Sequence, residues 1–266
     1  MSTPLPTYFL SHGGGPWPFM EGAFRRHFDR LESVLAGIPA ELAERPRAVL
    51  VVTAHWEGES FRVSSHPRPP MVYDYSGFPP HTYQAQYPAP GDPALAAEVV
   101  ARLQTGGVAA AADSERGFDH GSFSTVLPMY PQADMPLVQL SLQRSLDPTL
   151  HLRAGQLLAP LRAQGVLILG SGLSFHNLRA FDARSQEPSR QFDDWLQQAL
   201  RQSPAARRQA LIDWAQAPQA RFAHPREDHL LPLMVAAGAA EDDPAQLHYH
   251  QQDFMGGLAV SGFRFG

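Results

Sequence analysis

The sequence predicts an α/β domain built on a central, mostly parallel or mixed sheet with helices on both faces. Three observations carry that expectation. Short apolar runs of strand length alternate with longer segments of helical period, the pattern of strand–helix–strand units. The strongest runs, 48–53 and 166–169, are apolar throughout rather than alternating, as strands buried on both faces are. With 266 residues, 44% of them hydrophobic and 18% charged, the chain can bury a full core without disulfides or structural metal.

In chain order, a strand at 8–10 leads into His12 and a run of three glycines. A helix at 21–35 precedes strands at 48–53 and, more weakly, 61–63. The stretch 66–93 holds eight prolines and five aromatic rings, Tyr73, Tyr75, Phe78, Tyr83 and Tyr87, too irregular for a helix and too aromatic for a disordered linker. It reads as an ordered loop over the active site. Then come a helix at 93–103, a weak strand at 108–111, a strand at 137–142, a helix at 149–163 and a strand at 166–169. Helices at 190–201 and 229–237 and a closing pair of strands within 247–265 complete the pattern. No repeat, charge block or Gly/Ser linker divides the chain, so 1–266 reads as one domain.

Composition narrows the chemistry. Cysteine is absent, which excludes thiolate nucleophiles, iron–sulfur clusters and thiolate zinc sites, so any metal must bind nitrogen and oxygen ligands. Lysine is absent too: all 21 basic residues are arginine, which removes Schiff-base chemistry and a Walker-type phosphate loop. A formal net charge of -5 speaks against nucleic acid and anionic membrane as partners. The first residues lack the basic start and apolar stretch of a secretory signal, and a cytoplasmic location is expected.

Histidine carries the functional signal. In open α/β sheets ligands bind outside the carboxyl ends of the strands. His12, His55 and His176 each follow a predicted strand, and His229 opens an apolar helix after Pro225. Four imidazoles at one sheet edge suit a divalent metal, since imidazole is the commonest side-chain ligand of iron and zinc. His120, in Gly-Phe-Asp-His-Gly, reads as part of a glycine-flanked turn close to the ligand. Other candidates are weaker. His248 and His250 share one face of a terminal strand at period two and read as solvent-facing. His27 reads as a helix-surface residue, and His66, His81 and His151 have loop contexts without partners. The glycines 13–15 lack a dinucleotide fingerprint, and Ser122 and Ser171 lack the elbow of a serine hydrolase.

At these residues the chain resembles the class III extradiol ring-cleaving dioxygenases, in the branch of the 4,5-DOPA dioxygenases. The resemblance rests on Ser11-His12-Gly13-Gly14, on Thr53-Ala54-His55-Trp56, on Gly77-Phe78-Pro79 and on Tyr87-Pro88-Ala89-Pro90-Gly91. It continues through Gly117-Phe118-Asp119-His120-Gly121-Ser122, Met129-Tyr130-Pro131, Gly170-Ser171-Gly172, His176-Asn177-Leu178-Arg179 and Glu227-Asp228-His229-Leu230. It implies that His12, His55 and His229 hold one divalent metal, Fe(II) for activity or Zn(II) as bound. His176 is implied to be a further ligand or the acid/base, and His120 a group facing the substrate. The chain departs from the typical blocks at Gly14-Gly15-Pro16 and Arg226-Glu227-Asp228, and lacks the glutamate ligand of the protocatechuate enzymes. The implied reaction joins a catechol-type diol and O2, with Arg179 or Arg226 available for a substrate carboxylate. Two other readings suit the same residues: a zinc hydrolase with an activated water, and a non-catalytic binding module of the same fold.

Overall fold

The chain is described here from a computed structural model covering residues 3–266. Its elements in order are β1 (Thr7–Ser11), α1 (Gly22–Arg26), α2 (Asp29–Glu41), β2 (Ala48–Gly58), β3 (Phe61–Ser64), α3 (Pro93–Thr105), β4 (Ala110–Asp113) and α4 (His120–Met129). There follow β5 (Leu137–Gln143), α5 (Pro148–Leu158), β6 (Val166–Gly172), α6 (Gln186–Leu200), α7 (Pro204–Ile212), α8 (Ala220–Ala223), α9 (Leu231–Ala240), β7 (Ala245–Phe254) and β8 (Leu258–Phe265).

The strands form one mixed sheet in the order β4-β3-β5-β2-β6-β1-β8-β7. Its centre, β5-β2-β6-β1, is parallel throughout. The flanks are mixed: β3 runs antiparallel to β5, and β8 lies antiparallel between β1 and β7. The central strands are apolar on both faces because both faces are covered, and Val49–Val52 and Leu167–Leu169 are wholly buried. The α/β expectation holds. Among the described residues no helix is long and apolar enough to cross a membrane.

Several boundaries move, each for a local reason. The helix expected at 21–35 breaks at Phe28, whose buried ring stacks on Trp17 at 5.3 Å and meets Phe254 at 5.8 Å. The helix expected to reach 163 gives way at Ala159 to a 3-10 turn, since Pro160 has no N–H for the carbonyl of Gln156. The strand expected at 108–111 starts two residues later, because the Val108 N–H is spent on the Leu103 carbonyl at the end of α3. The last predicted helix begins at Leu231 rather than His229. Helices α4, α7 and α8 have no counterpart in the sequence reading. In α4 nearly every residue is buried, so no amphipathic period betrays it.

Several histidine contexts also change: His66 Nδ1 accepts the Arg68 amide at 2.9 Å and His81 Nε2 lies 3.1 Å from the Phe19 carbonyl, so neither is without a partner. His248 and His250 do not act from one face. A register shift between Leu247 and Tyr249 inserts a bulge at His248, which turns to Glu41 of α2 at 2.9 Å while His250 turns to Asp193 of α6 at 3.4 Å. His151 is not an unpartnered loop residue: it is buried in α5, its Nδ1 2.7 Å from the Asp147 carbonyl and its Nε2 3.2 Å from the Gln143 amide. That pair of contacts fixes the neutral Nδ1–H tautomer, and burial lowers the imidazole pKa to about 4. A histidine whose folded pKa is depressed supports the fold above the unfolded value near 6.5 and withdraws that support as pH falls towards 4. We expect His151→Gln to flatten the pH dependence of stability between pH 6.5 and 4, by at most about 1.4 kcal/mol per pH unit. Urea unfolding of both proteins across that range checks it; parallel curves refute the assignment.

Candidate metal centre

The carboxyl ends of the central parallel strands deliver the histidines. His12 follows β1, and its amide donates to the Gly172 carbonyl at the end of β6. Gly13 then adopts a left-handed φ of +76°, where a Cβ would lie 2.6 Å from Trp17 Nε1. That indole donates to the His12 carbonyl at 2.7 Å, pinning the turn. His55 lies not after its strand but within it. β2 and β5 pair Val52 with Leu140 and then Glu57 with Leu142, so the residues between them leave the ladder and swing His55 towards β1. His229 stands in the turn before α9, where its carbonyl accepts from the Leu173 amide just beyond β6. His176 lies in the loop after β6, its amide bonded to the Ala223 carbonyl.

His120 is the first residue of α4 rather than part of an isolated turn. Asp119 caps that helix through the Ser122 amide at 3.0 Å and receives Thr53 Oγ1 at 2.8 Å and Arg116 at 2.7 Å. Arg116 also donates to the His55 carbonyl at 3.1 Å. Asp119 is fully buried, and burial pushes its carboxyl upwards against the pull of Arg116. This knot joins α4 to the irregular part of β2, and it works only because Gly121 has no side chain. A Cβ there would stand 2.6 Å from Thr53 Oγ1 and 3.0 Å from His55 Cδ2.

All five histidines named from the sequence meet here. The Nε2 atom of His55 lies 3.2 Å from that of His12 and 3.2 Å from that of His229. The opposite nitrogens are engaged: His229 Nδ1 bonds Asp228 at 2.6 Å, His12 Nδ1 meets Ser171 Oγ at 3.3 Å, and His55 Nδ1 lies 3.3 Å from Asp74. Ser171 gives its own proton to the Gly121 carbonyl, so it accepts from His12. The hydrogen bonds at His229 and His12 place the proton on Nδ1, and the Asp74 carboxylate beside His55 Nδ1 favours the same tautomer there, which leaves a lone pair on each Nε2. Two lone pairs at 3.2 Å repel unless a cation stands between them. Metal–nitrogen bonds of about 2.0–2.1 Å at a tetrahedral centre would place neighbouring nitrogens about 3.4 Å apart. The donor set fits a divalent metal.

Burial, reinforced by the neighbouring imidazoles, holds His12 and His229 well below the usual histidine range and His55 at about 3, so the ligating neutral form is the resident one. His176 stacks flat on His229, ring centres 3.3 Å apart and planes 11° from parallel, and burial lowers it to about 4. One of its nitrogens falls within 4.8 Å of ligand atoms on Asp228 and His229. His120 tilts over His55 at 3.9 Å, and one of its nitrogens falls within 4.8 Å of ligand atoms on His12 and His55.

The cluster floors a cavity of about 460 Å³ walled by Phe24, Tyr75, Phe78, Leu173, Phe181 and Phe254, of the size and apolar character of a small-molecule site. Tyr75 and Phe78 come from the Pro-rich loop, which does lie over the site. A larger cavity of about 760 Å³ opens beyond His176 and Leu178, but of the five histidines only His176 borders it. Arg226 is committed to Glu57 through contacts at 2.5 and 2.7 Å, whereas the exposed Arg179 borders the larger cavity with no carboxylate partner among the described residues. Asp74 escaped the sequence reading. Its only signal was its place between two tyrosines in the irregular loop.

The family model for the catalytic LigB subunit of aromatic ring-opening dioxygenase matches residues 6–265. A 4,5-DOPA dioxygenase extradiol from Portulaca grandiflora is 38% identical across 97% of this chain and 95% of that protein. One of the same name from Escherichia coli K12 is 33% identical across 90% of this chain and 86% of its own length. A dioxygenase of Hapsidospora irregularis, TasH, is 38% identical across 94% of this chain and 82% of that protein. The crystal structure of an uncharacterized Escherichia coli K12 protein superposes with a TM-score of 0.76 at 27% identity, covering 98% of this chain and all of that one.

Gly121→Ala tests the close approach of α4 to β2. The added methyl should cost about 1–3 kcal/mol of stability and weaken metal retention by displacing His55 and His120. Denaturant unfolding and metal content of one preparation measure both; wild-type values for each would show that the contact is slack.

Proposed function

Because this chain belongs to the LigB family of class III extradiol dioxygenases, we propose that it opens the ring of a catechol-type aromatic with O2 at one divalent metal held by His12, His55 and His229. The observation that carries this reading is the convergence of three neutral imidazoles whose outer nitrogens each face an acceptor oxygen. A redox metal such as iron supplies positive charge for the diol oxygens and the electron exchange that O2 chemistry requires.

The remaining groups suit the rest of the work. Three protein nitrogens leave open positions for two reactants. The aromatic walls from the Pro-rich loop can pack on a planar ring and exclude water. His120 and His176, which both border the cavity, are the candidate proton carriers, the role an imidazole fills in general acid–base catalysis. The flat stacking of His176 on His229 favours a proton-handling role over ligation, since in-plane lone pairs of two rings in offset parallel planes cannot both point at one atom. Arg179 is the better placed of the two arginines for an acidic substituent. A cytoplasmic location accords with this chemistry.

Zinc hydrolysis on the same imidazoles is the alternative, and oxygen uptake separates the two. We expect anaerobically reconstituted Fe(II) protein to consume O2 with a catechol and form a ring-opened product visible by absorbance; catechol-independent ester or amide hydrolysis without O2 uptake would overturn the dioxygenase reading. About one metal per chain should be retained by the wild type and lost by His229→Ala. His176→Gln and His120→Gln should keep the metal and lose roughly 10² to 10⁴ in turnover. Metal loss in His176→Gln would instead make it a ligand, and replacing His248 should change neither quantity.

A further inference from the structure

We propose that Asp74 is a positioning residue that ties the substrate-facing loop to the metal centre, one carboxylate fixing the tautomers of His55 and His120 together. The proposal rests on the metal-centre reading above and extends it to a residue outside the histidine set.

Asp74 is the one carboxylate lining the inner cavity among the described residues. Its Oδ1 accepts the backbone amide of His120 at 3.0 Å and lies 2.9 Å from His120 Nδ1; its Oδ2 lies 3.3 Å from His55 Nδ1. Neither imidazole contact is an aligned hydrogen bond: the buried His120 Nδ1 has no hydrogen-bond partner and His55 Nδ1 only faces the carboxylate, so Asp74 acts on both rings through its charge. An ionised carboxylate only accepts, so its charge favours the proton on each facing Nδ1 and a lone pair on each Nε2. For His55 that lone pair belongs to the metal. For His120 it is available to take a proton from a substrate hydroxyl, and Asp74 would then face the imidazolium. The next residue, Tyr75, sets its ring edge-on to His120 at 6.0 Å and forms part of the substrate wall. The segment is otherwise fastened by backbone bonds, from the Val72 amide to Phe118 and from the Phe118 amide to Pro70. A loop that swings away removes the wall and both tautomer anchors at once. Metal binding and loop closure are therefore linked, each favouring the other to the same extent.

Asp74→Asn separates this from a merely structural role. The His120 backbone amide demands an acceptor, so the new side-chain oxygen keeps that position and the amide nitrogen is turned towards His55. Facing a donor, His55 must shift its proton to Nε2, where it cannot ligate. We expect Zn(II) affinity, measured by competition with a chromophoric chelator, to fall about 10- to 100-fold in Asp74→Asn and to stay near wild type in His120→Gln. In the wild type, hydrogen exchange of residues 72–76 should slow when Zn(II) is added. Unchanged affinity in a folded Asp74→Asn, or unchanged exchange on metal loading, overturns the proposal, and the exchange experiment decides if the variant does not fold. Zn(II) binding with the expected linkage but no ring cleavage would fell the dioxygenase reading alone; a wild type that binds no metal fells both.

Discussion

Two contacts between imidazole nitrogens, each presenting a lone pair and no proton, cannot hold themselves together. The 3.2 Å separations at His55 are stable only if the surroundings force them and a positive charge rewards them. Much of the neighbouring architecture supplies that force from behind. Ser171, Asp74 and Asp228 each engage one outer nitrogen, and each belongs to a different part of the chain: a central strand, the Pro-rich loop and the turn before α9. Ser171 is itself fixed by the first turn of α4, so a helix that contributes no proposed ligand still determines which nitrogen His12 offers.

The sheet does the coarse positioning and the irregularity in β2 does the fine positioning. Parallel strands bring His12 and His176 to one edge simply by ending there. β2 must do more, because its regular ladder would carry His55 past the others. The skipped register to β5 takes the strand out of line, and the buried Asp119, Thr53 and Arg116 hold the displaced segment where it stops. Polar groups buried in this way are tolerated because each oxygen of Asp119 has a donor. They also make the site intolerant of added volume.

Sequence reasoning found what repeats or stands at a boundary. The central strands announce themselves as unbroken apolar runs, and four of the five clustered histidines follow such a run or precede an apolar helix. Signals without a period were missed. α4 is buried nearly all round and contains glycine, serine and proline, so it resembles a loop, and His120 was placed in a turn accordingly. Asp74 was hidden because its meaning lies in contacts with residues far along the chain. The bulge at His248, which separates it from His250, is likewise invisible to a period-two reading. The break at Phe28 arises from tertiary ring packing that overrides a continuous helical pattern.

β1 occupies an interior place in the sheet, between β6 and β8, although it precedes every other described strand in the chain. During synthesis it has no neighbour on either side until the later strands emerge, and His12 waits with it for His229. The centre thus cannot form on a partial chain. Convergence of the histidines therefore waits on the slow step of bringing distant segments into register. A ribosome-bound or truncated chain would be exposed as an unpaired apolar strand, with its histidines still far apart.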